Sequence, residues 1–413
     1  MKPKEVIAQP YTLPNGLFIK NRLFKSAMSE ALGDSDYAPT KRLNRLYRTW
    51  AEGGIGVCVT GNVMIDSRYI SEPGNVVIED EKHLDKLSAW AKAATINNTQ
   101  CWVQLNHPGK QSPRGLNKQN VAPSAIPFKT EMRLYFATPR ELKEEEIYEI
   151  IDRFGKSAAI VKKAGFTGVQ IHGCHGYLVS QFLSPHHNTR TDQWGGSEEN
   201  RRRFVIEVYK SIRKHVGDDF PISIKLNSAD FQKGGFTEEE SIHTILALAN
   251  SGIDLIEVSG GTYEAPVMTG IRQKESTKKR EAYFLDFADK VRKFTRIPLV
   301  VTGGFRTLGA MANAIQSDEI DFVGLARSLA IEPDLPNKLL NGNSATYPVK
   351  PIKTGISLID KMGIMEVSWY SGQLKRIGEG HAPQPEEAPL LSFFKIVGKQ
   401  MLAGRIPRRL RAN

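Results

Sequence analysis

Cysteine is scarce in this chain: Cys58, Cys101 and Cys174 are the only three among 413 residues. They are odd in number, widely spaced and never in a C-x-x-C pair. Neither a disulfide framework nor a zinc or iron–sulfur site is indicated, and a reducing, cytoplasmic compartment is expected. Long apolar runs are missing too. No stretch approaches the roughly 18 residues of a membrane span, and Met1 to Gly16 carry charges and prolines where a secretory signal needs an apolar stretch. No expected strand runs into a G-x-G-x-x-G turn, which counts against a doubly wound, dinucleotide-binding sheet. What remains, with 40% apolar and 24% charged residues, is the composition of a globular enzyme with a large core.

Charge of one sign is in modest surplus. Fifty-six Lys and Arg against 45 Asp and Glu leave +11, a balance that would suit nucleic acid, an acidic membrane surface or phosphorylated small molecules. No dense basic run marks the body of the chain, so no nucleic-acid partner is expected. The surplus concentrates at the C-terminus, where Lys395, Lys399, Arg405, Arg408, Arg409 and Arg411 follow the last acidic residue, Glu387. Within this tail, Leu390–Leu402 has apolar residues at helical spacing with Lys395 and Lys399 between them,. Such a helix could touch an anionic membrane or a partner subunit of a homo-oligomer, but its modest apolar count favours a solvated or self-docked helix.

Periodicity carries the fold. Short β-rich apolar runs alternate with amphipathic stretches eight times, at Leu23–Met28, Gly56–Thr60, Cys101–Leu105, Gly168–His172, Pro221–Leu226, Asp254–Ser259, Pro298–Thr302 and Asp321–Leu325,. Between them, Ile147, Ile150, Ile151, Phe154, Ala158 and Val161 share one helical face behind the acidic turn Glu144–Glu146, and Gly165 ends that helix,. Thr237 and Glu240 make a capping box, with Gly252 as the stop,. Eight such units predict an α/β fold, a single closed (β/α)8 TIM barrel across about Asn21–Gly342. In domain terms this is a barrel domain over 1–345, followed by a C-terminal helical extension and basic tail over 346–413. Tyr11–Ile19, turning at Pro14-Asn15-Gly16, reads as an N-terminal hairpin able to plug the barrel's opposite end. The long βα loops Asn106–Lys143, Gly173–Ser197 and Gly260–Arg280 would all lie on the face where such barrels build sites.

Chemistry-bearing residues gather at those strand ends. His172-Gly-Cys-His175-Gly-Tyr177 sets two imidazoles and a phenol within six residues after the fourth strand; a polar loop with chance histidines is the bland account. The H-x-x-H spacing would also suit zinc. A catalytic zinc normally adds a third ligand, however, and strand alternation is expected to turn Cys174 away from its neighbours, so no metal is assigned. Lys225, in Ile222-Ser-Ile-Lys-Leu, is an unpaired charge inside an apolar strand. After the last two strands, Gly303-Gly304 and Leu325-Ala326-Arg327 combine small residues, which admit backbone N–H groups, with a cation able to clamp a dianion.

Five separated segments, in order and each at an expected strand end, resemble the Old Yellow Enzyme family. They are Asn21-Arg-Leu-Phe-Lys-Ser-Ala-Met-Ser29, Gln104-Leu-Asn-His107, the HGCHGYL segment, Phe182-Leu-Ser-Pro with Asn188-Thr-Arg-Thr-Asp-Gln-Trp-Gly-Gly-Ser197, and Thr302-Gly-Gly-Phe305. The likeness runs from about Asn15 to Tyr347. It implies an FMN-containing barrel, reduced by NADPH or NADH, that saturates a small electrophilic alkene. It would place Ser26, Ala27, Met28 and Ser29 beside flavin N5 and O4, with Ser29 tuning the potential through a hydrogen bond. Gln104 would meet the pyrimidine edge. Lys225 would stand near N1 and O2, where many relatives carry arginine, and Gly303, Gly304, Ala326 and Arg327 would surround the phosphate. Hydride would pass from the nicotinamide to FMN N5 and on to the substrate β-carbon. His172 and His175 would polarise the substrate carbonyl, and Tyr177, a phenol protonated at neutral pH, would donate a proton to the α-carbon.

Two alternatives stay open at this level: a metal-dependent barrel hydrolase or lyase using His172 and His175, and a non-catalytic flavin carrier. Substrate identity would reside in Asn106–Lys143 and Tyr263–Arg280. The first of these, with its prolines and Phe128, Tyr135 and Phe136, suits a lid or a rigid rim cover equally. Further on, Trp369–Ile377 with Gly378-Glu-Gly looks like a helix of a subset of relatives, and Pro383–Pro389 like a linker.

Overall fold

The computed structural model describes residues 1–262, 264–265, 281–343, 349, 352 and 364–389. Leu390–Leu402 and the basic tail, most of Tyr263–Arg280 and the boundary expected after residue 345 lie outside the described residues.

The chain begins with an antiparallel pair, β1 (Tyr11–Thr12) with β2 (Phe18–Ile19). Then come β3 (Leu23–Lys25), β4 (Val57–Met64), β5 (Gln100–Asn106), a short parallel pair β6 (Val121–Ala122) with β7 (Arg140–Glu141), and β8 (Gly168–Gly173). The series ends with β9 (Ile222–Asn227), β10 (Leu255–Ser259), β11 (Leu299–Thr302) and β12 (Phe322–Leu325). Strands β3, β4, β5 and β8 to β12 close into one parallel barrel, sealed where β12 pairs with β3. Every expected barrel strand is present. β3 is shorter than expected, although the Ser26 N–H still donates to the Leu325 carbonyl at 2.8 Å. β4 runs on to Met64 through an irregular register between Val59 and Asn62.

Alternation along these strands sorts the barrel interior into layers. At the bottom, Phe24, Val57, Trp102, Leu255, Val300 and Phe322 are fully buried and pack with Leu13 and Ile19, so the N-terminal hairpin plugs that end. Phe24 meets Trp102 edge to face at 5.9 Å. One step up each strand stand Ser26, Gln104, Gln170, Lys225, Glu257 and Thr302, a buried polar layer. The opposite strand faces, among them Val103, Val169, Ile171, Ile224, Ile256 and Val301, join the main core beneath the helices.

The helices follow their end signals. Glu144–Ala164 buries Ile147, Ile150, Ile151, Phe154, Ala158 and Val161, and Gly165 leaves it with φ +93°, a conformation open to glycine at little cost. The Thr237 hydroxyl accepts from Glu240 N at 3.2 Å while Glu240 Oε2 accepts from Thr237 N at 2.9 Å, an arrangement worth about 1 kcal/mol. No helix among the described residues is long and apolar enough to cross a membrane.

The C-terminal helix Ile364–Glu379 is present and packs against the helix Lys41–Glu52. Trp369 and Leu374 are buried against the barrel, and burial of each such side chain is worth about 1.5–3 kcal/mol. Pro383–Pro389 is no free linker. Trp369 Nε1 donates to the Glu387 carbonyl at 3.0 Å and Gln384 N to Gln373 Oε1 at 2.7 Å, so the segment folds back onto the helix.

Candidate active site

At the C-terminal ends of the strands the barrel opens into a cleft. Its wall brings together Ala27, Met28 and Ser29 after β3, His175 after β8, Lys225 on β9, Gly303 and Gly304 after β11, and Ala326 and Arg327 after β12. Ser26 and Gln104 lie in the polar layer beneath. His172 and Tyr177 are not part of this wall but adjoin His175: the His172 ring centroid is 5.8 Å from that of His175 and 4.4 Å from that of Tyr177.

Local structure explains the two imidazoles. β8 ends at Gly173, and His175 adopts φ +60°, an uncommon conformation for a non-glycine residue and one found often at functional sites. Asn227 Oδ1 accepts from His175 N at 3.2 Å, and His175 Nε2 shares a hydrogen bond with Ser259 Oγ at 2.8 Å. Burial, then the Lys225 ammonium, holds both histidines well below the usual imidazole value. Each is therefore neutral at pH 7, with one N–H to donate. His172 Nδ1 is buried and, among the described residues, has no hydrogen-bond partner, which leaves it able to bond a ligand polar atom.

Two sequence expectations need correction. Cys174 does not turn away: with the strand already ended, its sulfur and the two imidazoles place ligand atoms within 4.8 Å of one another. Burial pushes that thiol far above its ordinary value, however, and the Lys225 ammonium only partly opposes this. Lys225 is not unpaired. Its Nζ lies 3.1 Å from Glu257 Oε1, with both side chains at most 5% exposed, because the two residues are register partners on β9 and β10. Burial disfavours the Lys225 charge, but the Glu257 carboxylate beside it, with Cys174, holds it above its ordinary value. The Ser29 hydroxyl lines the cleft and donates to the half-buried Glu72, which leaves its oxygen able to accept,.

The cleft suits FMN on these observations. Gly303 and Gly304 have φ of +107° and +95°, and a Cβ on Gly304 would come within 2.7 Å of Ala282 N, so side chains are kept off this wall. Beside it Arg327 already holds an anionic group, with Nη1 3.3 Å from both carboxylate oxygens of Glu366. The polar layer offers donors and acceptors below: Gln104 Nε2 donates to Gln170 Oε1 at 2.8 Å, and Gln170 Nε2 to Glu257 Oε2 at 2.9 Å.

Sequence reasoning missed Gln170, Glu257, Thr302, Glu366 and Tyr370. For the first two the signal was available. Gln170 precedes His172 by two residues on one strand and so shares its face, and Glu257 is an acid inside an apolar strand, as Lys225 is a base inside one. Above the site, loops after β5, β8 and β10 are tied by Lys110, whose Nζ lies 3.1 Å from His187 Nδ1, 3.9 Å from Glu264 Oε2 and 4.3 Å from the Phe128 ring. Burial brings that lysine down to about 8.

The model of the NADH:flavin oxidoreductase / NADH oxidase family matches residues 7–345. The NADH-dependent flavin oxidoreductase iliE of Hypocrea jecorina (strain QM6a) is 36% identical over 355 residues, 80% of this chain and 88% of its own length. The NADH-dependent flavin oxidoreductase iccE of Talaromyces variabilis is 32% identical over 406 residues, 90% and 98% of the two chains. Among solved structures, the complex of 2-naphthoyl-CoA reductase with 2-naphthoyl-CoA has a TM-score of 0.77 at 28% identity, covering 90% of this chain and 58% of that one. The old yellow enzyme homologue from Zymomonas mobilis has a TM-score of 0.72 at 21% identity, covering 93% and 98%, and shares the fold. Some relatives are longer: the chain spans 51% of the iliE protein of Neonectria sp. (strain DH2). A metal-dependent hydrolase and a passive carrier are set aside by this membership. The chain belongs to the NADH:flavin oxidoreductase / NADH oxidase family, the Old Yellow Enzyme family, and is an FMN-dependent, NAD(P)H-linked oxidoreductase.

Proposed function

We propose that this enzyme is an ene-reductase that uses NADPH or NADH to saturate an alkene conjugated to a carbonyl, nitro or similar withdrawing group. Bound FMN would supply the hydride chemistry that links the nicotinamide to the alkene β-carbon. Ser26 to Ser29, Gln104 and Lys225 would hold its ring system, and Gly303, Gly304, Ala326 and Arg327 its phosphate.

One observation carries the assignment: a phenol and two neutral imidazoles, His172 buried and His175 half-buried, stand together where His175 meets the cleft. Their N–H groups are set in advance to receive a carbonyl oxygen and to stabilise the negative charge that grows there, an effect worth about 3–4 kcal/mol per donor in comparable sites. The orphan Nδ1 of His172 supports a ligand polar atom at that point. Tyr177, 7% exposed and ring to ring with His172, protonates the α-carbon. The similarity to a structure named for 2-naphthoyl-CoA supports an acceptor conjugated to a carbonyl group.

Isotopic labelling tests this. With 4-deuterated NADH or NADPH and an enone, the saturated ketone is expected to carry deuterium at the β-carbon and a solvent hydrogen at the α-carbon. A product labelled at the carbonyl carbon, or nicotinamide oxidation without alkene saturation across enones, nitroalkenes and quinones, would overturn it.

A further inference from the structure

The polar layer under the cleft is directional. Gln104 Nε2 reaches Gln170 Oε1 at 2.8 Å, Gln170 Nε2 reaches Glu257 Oε2 at 2.9 Å, and Thr302 Oγ1 reaches Glu257 Oε1 at 2.7 Å. Ser26 Oγ stands 2.7 Å from Thr302 Oγ1, and Lys225 Nζ stands 3.1 Å from Glu257 Oε1. Amide and hydroxyl groups can both donate and accept, whereas a carboxylate only accepts and an ammonium only donates. Within this layer Glu257 is the one carboxylate, so it dictates every direction. Gln170 must turn its NH2 toward Glu257, which leaves its carbonyl for Gln104, and Gln104 must therefore spend an N–H inward. Thr302 gives its hydrogen to Glu257, so Ser26 gives its hydrogen to Thr302. The fully buried carboxylate thus fixes the polarity of two residues under the cleft and neutralises the lysine that lines it.

We propose that Glu257 is the positioning residue that sets the redox poise of the bound flavin, by cancelling the Lys225 charge and by fixing the hydrogen-bond polarity of Gln104 and Ser26. The proposal rests on the FMN placement given above. A lone cation beside the pyrimidine edge favours the reduced, more negative cofactor; a lysine held in a neutral pair favours it less, because the two charges oppose each other in a desolvated site. Glu257 keeps the enzyme a stronger reductant than one with an unopposed cation would be.

The test is the midpoint potential of the FMN-loaded protein, measured against reference dyes at pH 7, for wild type, Glu257→Gln, Lys225→Met and the double variant. Glu257→Gln is expected to move the potential upward by at least tenfold in the reduction equilibrium, about 30 mV for a two-electron couple. Lys225→Met, whose unpaired Glu257 takes up a proton, and the double variant are both expected to stay close to wild type. A downward shift in Lys225→Met with no shift in Glu257→Gln overturns the proposal while leaving the placement standing. Identical potentials in all four proteins overturn the placement itself. If Glu257→Gln does not fold, Lys225→Met reads the cancellation by itself, and a downward shift in it refutes the proposal.

Discussion

Replacing Lys225 by methionine leaves Glu257 with its donors Gln170 and Thr302 but without its countercharge. At 3.1 Å two unit charges attract by about 5 kcal/mol at an effective dielectric near 20, and removing one member of a buried pair costs about 3–5 kcal/mol. Protonation of Glu257 caps that loss. Lifting a carboxyl from its ordinary value near 4.3 costs about 1.4 kcal/mol per pH unit, so the ceiling is roughly 3.7 kcal/mol at pH 7 and roughly 1 kcal/mol at pH 5. In the variant the native state holds a proton that the unfolded state releases, so its stability falls as pH rises from 5 to 7. In the wild type, Lys225 is held above its ordinary value of 10.5; the stability it contributes is lost only as pH rises through that higher value, outside this window. The assay is urea unfolding of flavin-free wild type and variant at pH 5, 6 and 7, with midpoints converted through the slope. A penalty that does not change with pH, or one below about 0.5 kcal/mol at pH 7, a surface-substitution value, refutes the reasoning.

Three further outcomes are expected. Tyr177→Phe should leave flavin reduction by NAD(P)H unchanged in stopped flow while slowing enone turnover by about 10²–10⁴-fold, the span for a lost general acid; equal turnover would assign the proton to another group. His172→Ala removes one N–H donor and should weaken binding of a phenolate ligand, followed through flavin absorbance, by about tenfold or more, as for a hydrogen bond to a charged group; an unchanged titration would remove His172 from the oxyanion role. Glu366→Gln takes away the carboxylate that now holds Arg327 and a negative charge from the cleft wall. The FMN dissociation constant of the apoprotein, measured by fluorescence quenching, should then fall by about tenfold, a charge-assisted contact of about 1.4 kcal/mol; a rise would show that Glu366 supports cofactor binding rather than competing with it.

The barrel was legible because its strands obey one rule over the whole chain. Apolar runs such as Gly168–His172 and Pro298–Thr302 recur at the spacing of βα units, and glycines such as Gly165 and Gly252 stop the helices between them. The hairpin was readable from a single Pro-Asn-Gly turn between apolar residues. The cleft wall followed from position, since residues at strand ends share one face of a barrel. Pairing across strands was not legible, because it depends on register. Nothing in the sequence of β9 says that Lys225 sits level with Glu257 on β10, and the lysine therefore read as unopposed. The same limit hid Arg327 and Glu366, which are 39 residues apart in sequence yet within ion-pair distance. Cys174 was misjudged because alternation was carried past Gly173, where the strand ends and the backbone turns.

The central claim is that the cleft holds a flavin reducible by nicotinamide and reoxidised by an alkene. Anaerobic titration of the purified holoprotein measures this directly. One equivalent of NADH or NADPH per flavin should bleach the oxidised absorption band, and an enone such as cyclohexenone should restore it with an equal yield of the saturated ketone. A protein that takes up no FMN, or whose bound flavin neither nicotinamide bleaches, would contradict the account.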